Sequence, residues 1–296
     1  MSDASGHHSL NMRAGLASVS VALILVVAKI WAFGATGALS VAASLADSGL
    51  DLMMAIGGLI AIYYAARPPD EDHRFGHTSA EDLAALGQSA FILVSAAIIA
   101  VSGVRRLLAP EPAVMAQEGR GVVVMVFSIV LTIALVLWQQ RVARTTGSKV
   151  VAADRLHYVG DLIPNIGAII ALGASAFFGV TSIDAVVALG AAALIAVGAL
   201  RLGKRAWDAL MDRSAPAEVV AEIEAMTDQT EGVHAFHDLK TRMAGSKPFI
   251  HIHIELDGDQ SLREAHAISA QLKSDILAAY PNADVIIHKD VAGEAD

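Results

Sequence analysis

Long apolar runs separated by short polar loops occupy the first two thirds of the chain. A helix needs about 20 mostly apolar residues to cross the hydrocarbon core of a bilayer. Six runs meet or approach that length; the fifth is long but interrupted, and the sixth is short but uninterrupted. The runs are Leu16–Gly34, Ala38–Ala65, Leu83–Val104, Gly121–Gln140, Val150–Gly179 and Ala185–Leu200. The pattern therefore predicts six transmembrane helices.

After residue 211 the pattern changes to short amphipathic and alternating segments. "AEVVAEIEAMTDQ" predicts a helix, "VHAFHDLKTRMA" and "KPFIHIHIELD" predict a hairpin around Gly-Ser, and "ADVIIHKD" predicts a third strand. Between them, "SLREAHAISAQLKSDILAAY" predicts a second helix that Ser261 and Glu264 cap. The order α-β-β-α-β predicts a small α+β domain of metallochaperone type, with its helices on one face of an open sheet.

This change of pattern divides the chain into three parts. We assign residues 1–12 to an N-terminal tail, residues 13–211 to a six-helix transmembrane domain, and residues 212–296 to a C-terminal cytoplasmic domain that binds metal, regulates and dimerises. In short loops, basic residues concentrate on the cytoplasmic side. Such residues follow spans four and six, so we expect both termini to face the cytoplasm; they are Arg141, Arg144, Lys149, Arg201, Lys204 and Arg205.

Composition agrees with a membrane protein and limits its chemistry. Of 296 residues 55% are hydrophobic and 17% charged, against about 25% charged in a soluble domain. The net charge of −9 comes from residues 212–296, which hold 7 Lys/Arg and 16 Asp/Glu. Without a basic patch, nucleic acid is not an expected partner. Without cysteine, disulfides and thiolate metal ligands are excluded.

Two pairs of ligand-type side chains lie inside predicted spans. Asp47 and Asp51 occur in span two, and His157 and Asp161 in span five. A spacing of four places each pair on one helical face, about 20 Å from the cytoplasmic edge at 1.5 Å per residue. Charged residues at this depth are unfavourable and mark pathways or bound ions. Polar residues that only pack helices, or a proton relay alone, are the alternatives.

The chemistry of this set suggests competition between metal and protons. Three carboxylates and one imidazole form a four-coordinate set of nitrogen and oxygen ligands, which suits zinc. In the absence of metal, burial and mutual repulsion favour protonation of the carboxylates, and histidine titrates near neutral pH. Because metal and protons would occupy the same atoms, we expect a metal/proton antiporter.

A second candidate site lies in the loop between spans two and three. "PPDEDHRFGH" places Asp70, His73 and His77 within eight residues at the expected cytoplasmic mouth. Short tracts rich in histidine are suggestive of metal binding. A solvated polar loop with a turn at Gly76 is the alternative.

These motifs together resemble those of the cation diffusion facilitator family. "ADSGLD", "DEDHRFGHTSAE", "HYVGD" and "VIIHKD" carry the resemblance, which extends from about Arg13 to Asp290. It implies a homodimer in the lipid bilayer, in a bacterial inner membrane, that exports divalent metal cations in exchange for protons. In that family the Asp-Asp-His-Asp set is associated mainly with Zn²⁺ and Cd²⁺. Transport of Fe²⁺ or Mn²⁺ is the alternative within the family.

The resemblance also assigns further ligands. It implies a weaker metal site on the loop triad and a two-metal site at the interface between two tail domains. The tail residues that match this second site are His237, His253, His266, His288 and Asp290. His234 and His251 have no such counterpart. Ser79 stands where relatives often carry a lysine that pairs with an acid near the tail junction, so Asp212 lacks that partner.

Two functions of other classes compete with transport. A membrane-bound metalloenzyme is one, but the sequence has neither H-E-x-x-H nor Gly-x-Ser-x-Gly. A membrane-bound metal sensor is the other, but no nucleotide-binding, kinase or DNA-binding motif accompanies the tail. We therefore predict a transporter and not an enzyme.

Overall fold

The structure is a computed structural model that describes residues 2–36, 39–108, 119–162 and 183–294. The chain forms two compact units. One contains His8–Trp207, and the other contains Asp208–Asp296 together with Met1–His7.

Six helices lie within residues 2–210 of the described chain. They are α1 (Ser2–Thr36), α2 (Leu39–Ala65), α3 (Ser79–Leu108), α4 (Gly119–Thr146), α5 (described over residues 149–162) and α6 (Ile183–Leu210). Since α1 begins at Ser2, residues 2–12 are helical and continuous with the first predicted span. The later part of predicted span five lies outside the described residues.

Length and composition show that four of the described helices can cross a membrane. These segments are Gly6–Gly34, Ser48–Ala65, Ser79–Arg105 and Val126–Thr146. Large apolar side chains such as Trp31 and Leu137 are each 63% exposed on the outside of the helices. Such an apolar surface is expected where the surroundings are lipid. The helices meet the other requirement of that environment, because their backbone groups are satisfied within each helix.

Small residues allow the helices to approach closely. At Gly203 of α6, an added Cβ would lie 2.6 Å from the Ser89 hydroxyl oxygen of α3. Around the beginning of α5, buried side chains from α1, α2 and α4 pack against it; this cluster is Ala14, Ile62, Val142, Val150 and Val151. Further along α5, Tyr158 packs against Leu135 and Val136 of α4. These contacts fix the face of α5 that carries His157.

The C-terminal unit confirms the predicted order α-β-β-α-β. Its elements are α7 (Ala217–Asp228), β1 (Ala235–Ala244), β2 (Lys247–Leu256), α8 (Leu262–Ala279) and β3 (Asp284–Val291). The sheet order is β1-β2-β3, with β1 and β2 antiparallel and β2 and β3 parallel. Helix α8 begins with the predicted capping box of Ser261 and Glu264 and provides the crossover that a parallel pair requires.

One face of this sheet forms the tail core. Ile250, Ile252 and Ile254 of β2 are almost fully buried, and they pack with Leu272 and Ile276 of α8. Because side chains alternate along a strand, the residues between these isoleucines lie on the opposite face. Among the described residues of the tail unit, the helices therefore cover the other face of the sheet and leave the histidine-bearing face of β2 open.

Candidate metal sites

The structure brings together three of the four predicted intramembrane ligands. The Nε2 atom of His157 lies 2.9 Å from an Asp51 oxygen and 3.7 Å from an Asp161 oxygen. Asp51 and His157 are buried. One ligand atom from each of the three residues lies within 4.8 Å of the others, so a single ion can bind all three. Helices α2 and α5 therefore meet at these residues.

Asp47 belongs to the same helix as Asp51 and precedes it by one turn. Its side chain lies outside the described part of the structure. Next to it, the Ser48 hydroxyl accepts a hydrogen bond of 2.6 Å from the Lys29 ammonium of α1. A positive charge of α1 thus lies beside the segment of α2 that carries the predicted ligands, a feature that the sequence analysis missed.

The loop between α2 and α3 gathers Asp70, His73 and His77. One Asp70 oxygen lies 3.2 Å from Nδ1 of His73, and the other lies 3.2 Å from Nε2 of His77. The side chain of His77 is only 2% exposed, while Asp70 and His73 are exposed. The Tyr64 ring contacts His77 edge-on. The three ligand atoms lie within 4.8 Å of one another.

Backbone N–H groups of this loop hold the Asp70 carboxylate in place. Oδ1 of Asp70 accepts hydrogen bonds from the backbone N–H groups of His73, at 2.7 Å, and Asp72, at 3.1 Å. The bond from His73 is the main reason why the pKa of Asp70 lies below its ordinary value. Gly76, at φ +93°, permits the turn that follows. Asp70 is therefore held as a carboxylate directed at both imidazoles.

In the tail unit, the strand register aligns three histidines. His237 of β1 is paired with His253 of β2, and His253 is paired with His288 of β3. An Asp290 oxygen lies 2.9 Å from Nδ1 of His253 and 3.5 Å from Nε2 of His237. His288 lies 3.2 Å from the other oxygen of Asp290. Four of the five predicted tail ligands therefore form one cluster on the face opposite the core.

The remaining tail residues lie around or outside this cluster. Glu255, which the sequence analysis did not assign, lies 3.3 Å from Nδ1 of His237; its alternation with His253 along β2 is the signal that identifies it. His266 is exposed on α8, in the helix layer on the other face of the sheet, and does not join the cluster within one chain. His234 and His251 are exposed.

Asp212 has a cationic partner of its own in the tail unit. Its carboxylate lies 3.2 Å from the Arg242 guanidinium of β1. Asp212 has a φ of +54°, just after the end of α6. With Ser79 in the place of a lysine, the acid near the tail junction is thus paired within its own domain.

Two further polar contacts connect transmembrane helices in the described part of the chain. Lys149, at the start of α5, lies 2.5 Å from Asp82 of α3, whose side chain is 1% exposed. Asp154 of α5 accepts a hydrogen bond of 2.6 Å from the Gln139 side chain of α4. Sequence analysis treated Lys149 only as a marker of orientation and did not single out Asp154, because their partners Asp82 and Gln139 lie on other helices.

Comparison with known proteins agrees with this arrangement. The profile of the cation efflux transmembrane domain matches residues 15–211, and that of the cytoplasmic domain of cation efflux proteins matches residues 215–291. The cation-efflux pump FieF of Klebsiella pneumoniae is 41% identical over 278 residues, covering 94% of this chain and 92% of that protein. FieF of Escherichia coli (strain K12 / DH10B) is 40% identical over the same shares.

A solved structure is also similar to part of the chain. The metal-bound C-terminal domain of the CzcD transporter from Thermotoga maritima is 29% identical, covers 27% of this chain and 93% of that chain, and has a TM-score of 0.26. The two family profiles and the FieF relatives together span nearly the whole chain. The chain therefore belongs to the cation efflux, or cation diffusion facilitator, family, and it is an integral membrane transporter of divalent cations rather than an enzyme.

Proposed function

We propose that this protein exports zinc, and also cadmium, from the cytoplasm in exchange for protons. The cluster of Asp51, His157 and Asp161 carries the proposal. It combines buried nitrogen and oxygen ligands, as zinc sites do, and it connects α2, which can cross a membrane, with α5, which belongs to predicted span five. Asp47 completes a four-ligand set in this proposal.

The contact between His157 and Asp51 gives a reason for exchange with protons. Their facing atoms, Nε2 and Oδ1, are 2.9 Å apart, so a proton lies between them when no metal is bound. A nitrogen that coordinates a metal has no lone pair left for a proton, so metal entry displaces that proton. Alternating access of this one site to the two sides of the membrane would then couple the two fluxes.

The imidazole in the set favours zinc over a harder cation. Carboxylate oxygens suit manganese, whereas imidazole suits zinc and also iron. Zinc and cadmium are therefore our first proposal, and ferrous iron or manganese is the alternative within the family. The relatives named above are cation-efflux pumps, a description that is consistent with transport of any of these metals.

We further propose that the protein is a homodimer in a bacterial inner membrane, with both termini in the cytoplasm. In this orientation the loop triad of Asp70, His73 and His77 lies at the cytoplasmic mouth and holds a cation there. The tail cluster fits a resident divalent metal, because it offers three imidazoles and a carboxylate on one uncovered face. His237, His253, His288 and Asp290 would hold that metal, and His266 enters this proposal through family resemblance alone.

The tail would regulate and the membrane cluster would transport. The domain from Asp212 onward carries the net charge of −9, so two tails repel each other when they meet. Bound divalent cations offset that repulsion and would draw the tails together. This movement would then bias the helices that join the tail, a coupling between two distinct sites.

The test is metal-specific flux in proteoliposomes that contain the full-length protein. Zinc, cadmium, manganese and ferrous iron are added one at a time, with a metal indicator and a pH indicator inside the vesicles. We expect zinc and cadmium to enter fastest and protons to move in the opposite direction. Faster flux of ferrous iron or manganese would show that this metal, and not zinc, is the preferred substrate. Zinc flux without proton movement would refute antiport.

A further inference from the structure

Asp154 is a buried carboxylate that the transport cluster does not use. It lies on α5, one turn before His157, and is 7% exposed. Its carboxylate accepts a 2.6 Å hydrogen bond from the Gln139 side chain of α4 and contacts the Ser18 hydroxyl of α1. These two partners are neutral. A buried carboxylate whose hydrogen-bond partners are neutral is unfavourable in its charged form, so its presence in a transmembrane helix requires an explanation.

A small cavity adjoins this carboxylate. It has a volume of ≈ 10 Å³, and among the described residues that line it Asp154 is the one that is ionisable. The other lining residues come from α1, α2 and α5, among them Ala14, Ile62 and Val151. This volume is at the lower limit of what one water molecule needs, about 10–15 Å³. The cavity therefore gives Asp154 space for a single water on the side toward the start of α5.

Gln139 can form a hydrogen bond with Asp154 in both protonation states of the carboxyl group. Gln139 is fully buried, and its Oε1 has no hydrogen-bond partner in the described residues. An amide offers two N–H donors and one carbonyl acceptor. The N–H group donates to an ionised Asp154, and after a rotation of the amide the carbonyl oxygen accepts from a protonated Asp154. A residue that serves only to hold α4 against α5 would not need a partner of this kind.

The ionisable groups near Asp154 belong to the transport cluster or lie next to it. On its own helix these are His157 and Tyr158, and on α2 the facing group is Asp51. From α1 and α4 the facing groups are the neutral Ser18 and Gln139. Asp154 thus lies between the transport cluster and the end of α5 where Lys149 pairs with Asp82.

We propose that Asp154 carries the proton that leaves the transport cluster when the cation binds. The O–H bond of the protonated carboxyl breaks and its proton moves to the water in the cavity, then to the cytoplasm. The resulting carboxylate accepts a hydrogen bond from Gln139. The proton that the cation displaces from His157 and Asp51 then restores the carboxyl. This step rests on the proposed antiport and on the cytoplasmic location of the start of α5.

Asp154→Asn separates this role from a structural one. The asparagine side chain has the same shape and still bonds to Gln139, but it cannot release a proton. Asp154→Glu keeps an ionisable carboxyl and serves as the matched control. Each full-length variant is reconstituted into proteoliposomes. Two quantities are measured: zinc uptake driven by an imposed pH gradient, and exchange of radioactive zinc at equal pH and equal zinc concentration on both sides.

Asp154→Asn should lose the uptake that the gradient drives by about a hundredfold or more, the lower end of what a positioned proton-transfer group contributes. Its zinc exchange should match the wild type, because exchange needs no net proton movement. Asp154→Glu should keep both activities. Gradient-driven uptake that is unchanged in Asp154→Asn would overturn the proposal, and so would an equal loss of uptake and exchange, which would indicate a structural role.

The wild type provides a check on the proposed function itself. If zinc uptake by the wild type does not depend on the pH gradient, the proposed antiport is refuted. If uptake depends on the gradient equally in the wild type and in Asp154→Asn, only the proposed role of Asp154 is refuted. Should Asp154→Asn not fold, infrared difference spectra of the wild type and Asp154→Glu replace it. Zinc should remove a band of a protonated carboxyl, and that band should shift in Asp154→Glu. A band that is absent, or that does not shift, would overturn the proposal.

Discussion

Removal of the Asp51 carboxylate is the sharpest test of the transport cluster. Asp51 is buried, and one of its oxygens lies 2.9 Å from Nε2 of His157. In the Asp51→Ala variant the bound cation would lose one ligand and one negative charge, while His157 and Asp161 would stay in place. Truncation of one partner of a buried pair also lowers the stability of the fold, so assembly of the variant is checked separately.

The magnitude follows from the burial of the contact. Truncation of one partner of a buried, hydrogen-bonded charge pair weakens binding by about 2–5 kcal/mol. At about 1.4 kcal/mol for each factor of ten, this corresponds to an affinity lower by about thirtyfold to a few thousandfold. Zinc concentrations that saturate the wild type should therefore leave the variant almost inactive.

The assay is zinc uptake into proteoliposomes over a range of zinc concentrations. Size-exclusion chromatography first establishes that the variant keeps the oligomeric state of the wild type. Asp228→Asn, which neutralises an exposed carboxylate at the end of α7, is the control and should behave as the wild type does. An apparent zinc KM for Asp51→Ala that equals the wild-type value would refute the assignment of Asp51 as a ligand.

Four further predictions concern selectivity, regulation and stability. His157→Asp creates an all-oxygen set and should gain manganese flux; an unchanged profile across the four metals would contradict ligand control of selectivity. Double substitution of His237→Ala and His253→Ala should weaken the zinc-dependent approach of labelled tails, and distances insensitive to zinc in the wild type would refute regulation. Leu272 is fully buried, so Leu272→Ala should lower the free energy of unfolding of the tail by about 2–5 kcal/mol; hydrogen exchange of the β2 amides in the full chain measures this, and unchanged protection would contradict it. Burial and the hydrogen bond to Glu222 raise the pKa of Tyr280 to about 12 from an ordinary 10.0, so the tail should lose stability as pH rises from 10 toward 12; Tyr280→Phe should remove that dependence in urea titrations of a labelled tail, and an identical pH profile would contradict it.

Local patterns in the sequence predicted the parts of the structure that repeat at fixed spacing. The i, i+4 pairs placed Asp51 on one face of α2 and His157 with Asp161 on one face of α5, and the structure brings these three residues together. The alternating pattern of "KPFIHIHIELD" likewise predicted strand β2, and alternation along a strand places His253 on the face opposite the buried isoleucines. In each case the spacing of the residues along one element was sufficient to place them on one face.

Contacts between distant elements could not be predicted in the same way. The pairs of Asp154 with Gln139 and of Lys149 with Asp82 depend on how α3, α4 and α5 pack, and no local spacing encodes that packing. Ser214 illustrates the same limit. Its position suggests a role at the start of α7, but Pro216 is the N-cap there and the Ser214 hydroxyl lies 2.8 Å from the Thr241 hydroxyl of β1.

A zinc-edge anomalous scattering map of the full-length protein, crystallised with zinc, tests the central claim most directly. The account predicts a zinc peak bound by Asp51, His157 and Asp161, at the 2.0–2.2 Å or so that nitrogen and oxygen ligands of zinc adopt. The same peak should vanish in Asp161→Ala while the peak in the tail remains. Zinc in the tail of the wild type, without a peak between α2 and α5, would contradict the claim that the intramembrane cluster is the transport site.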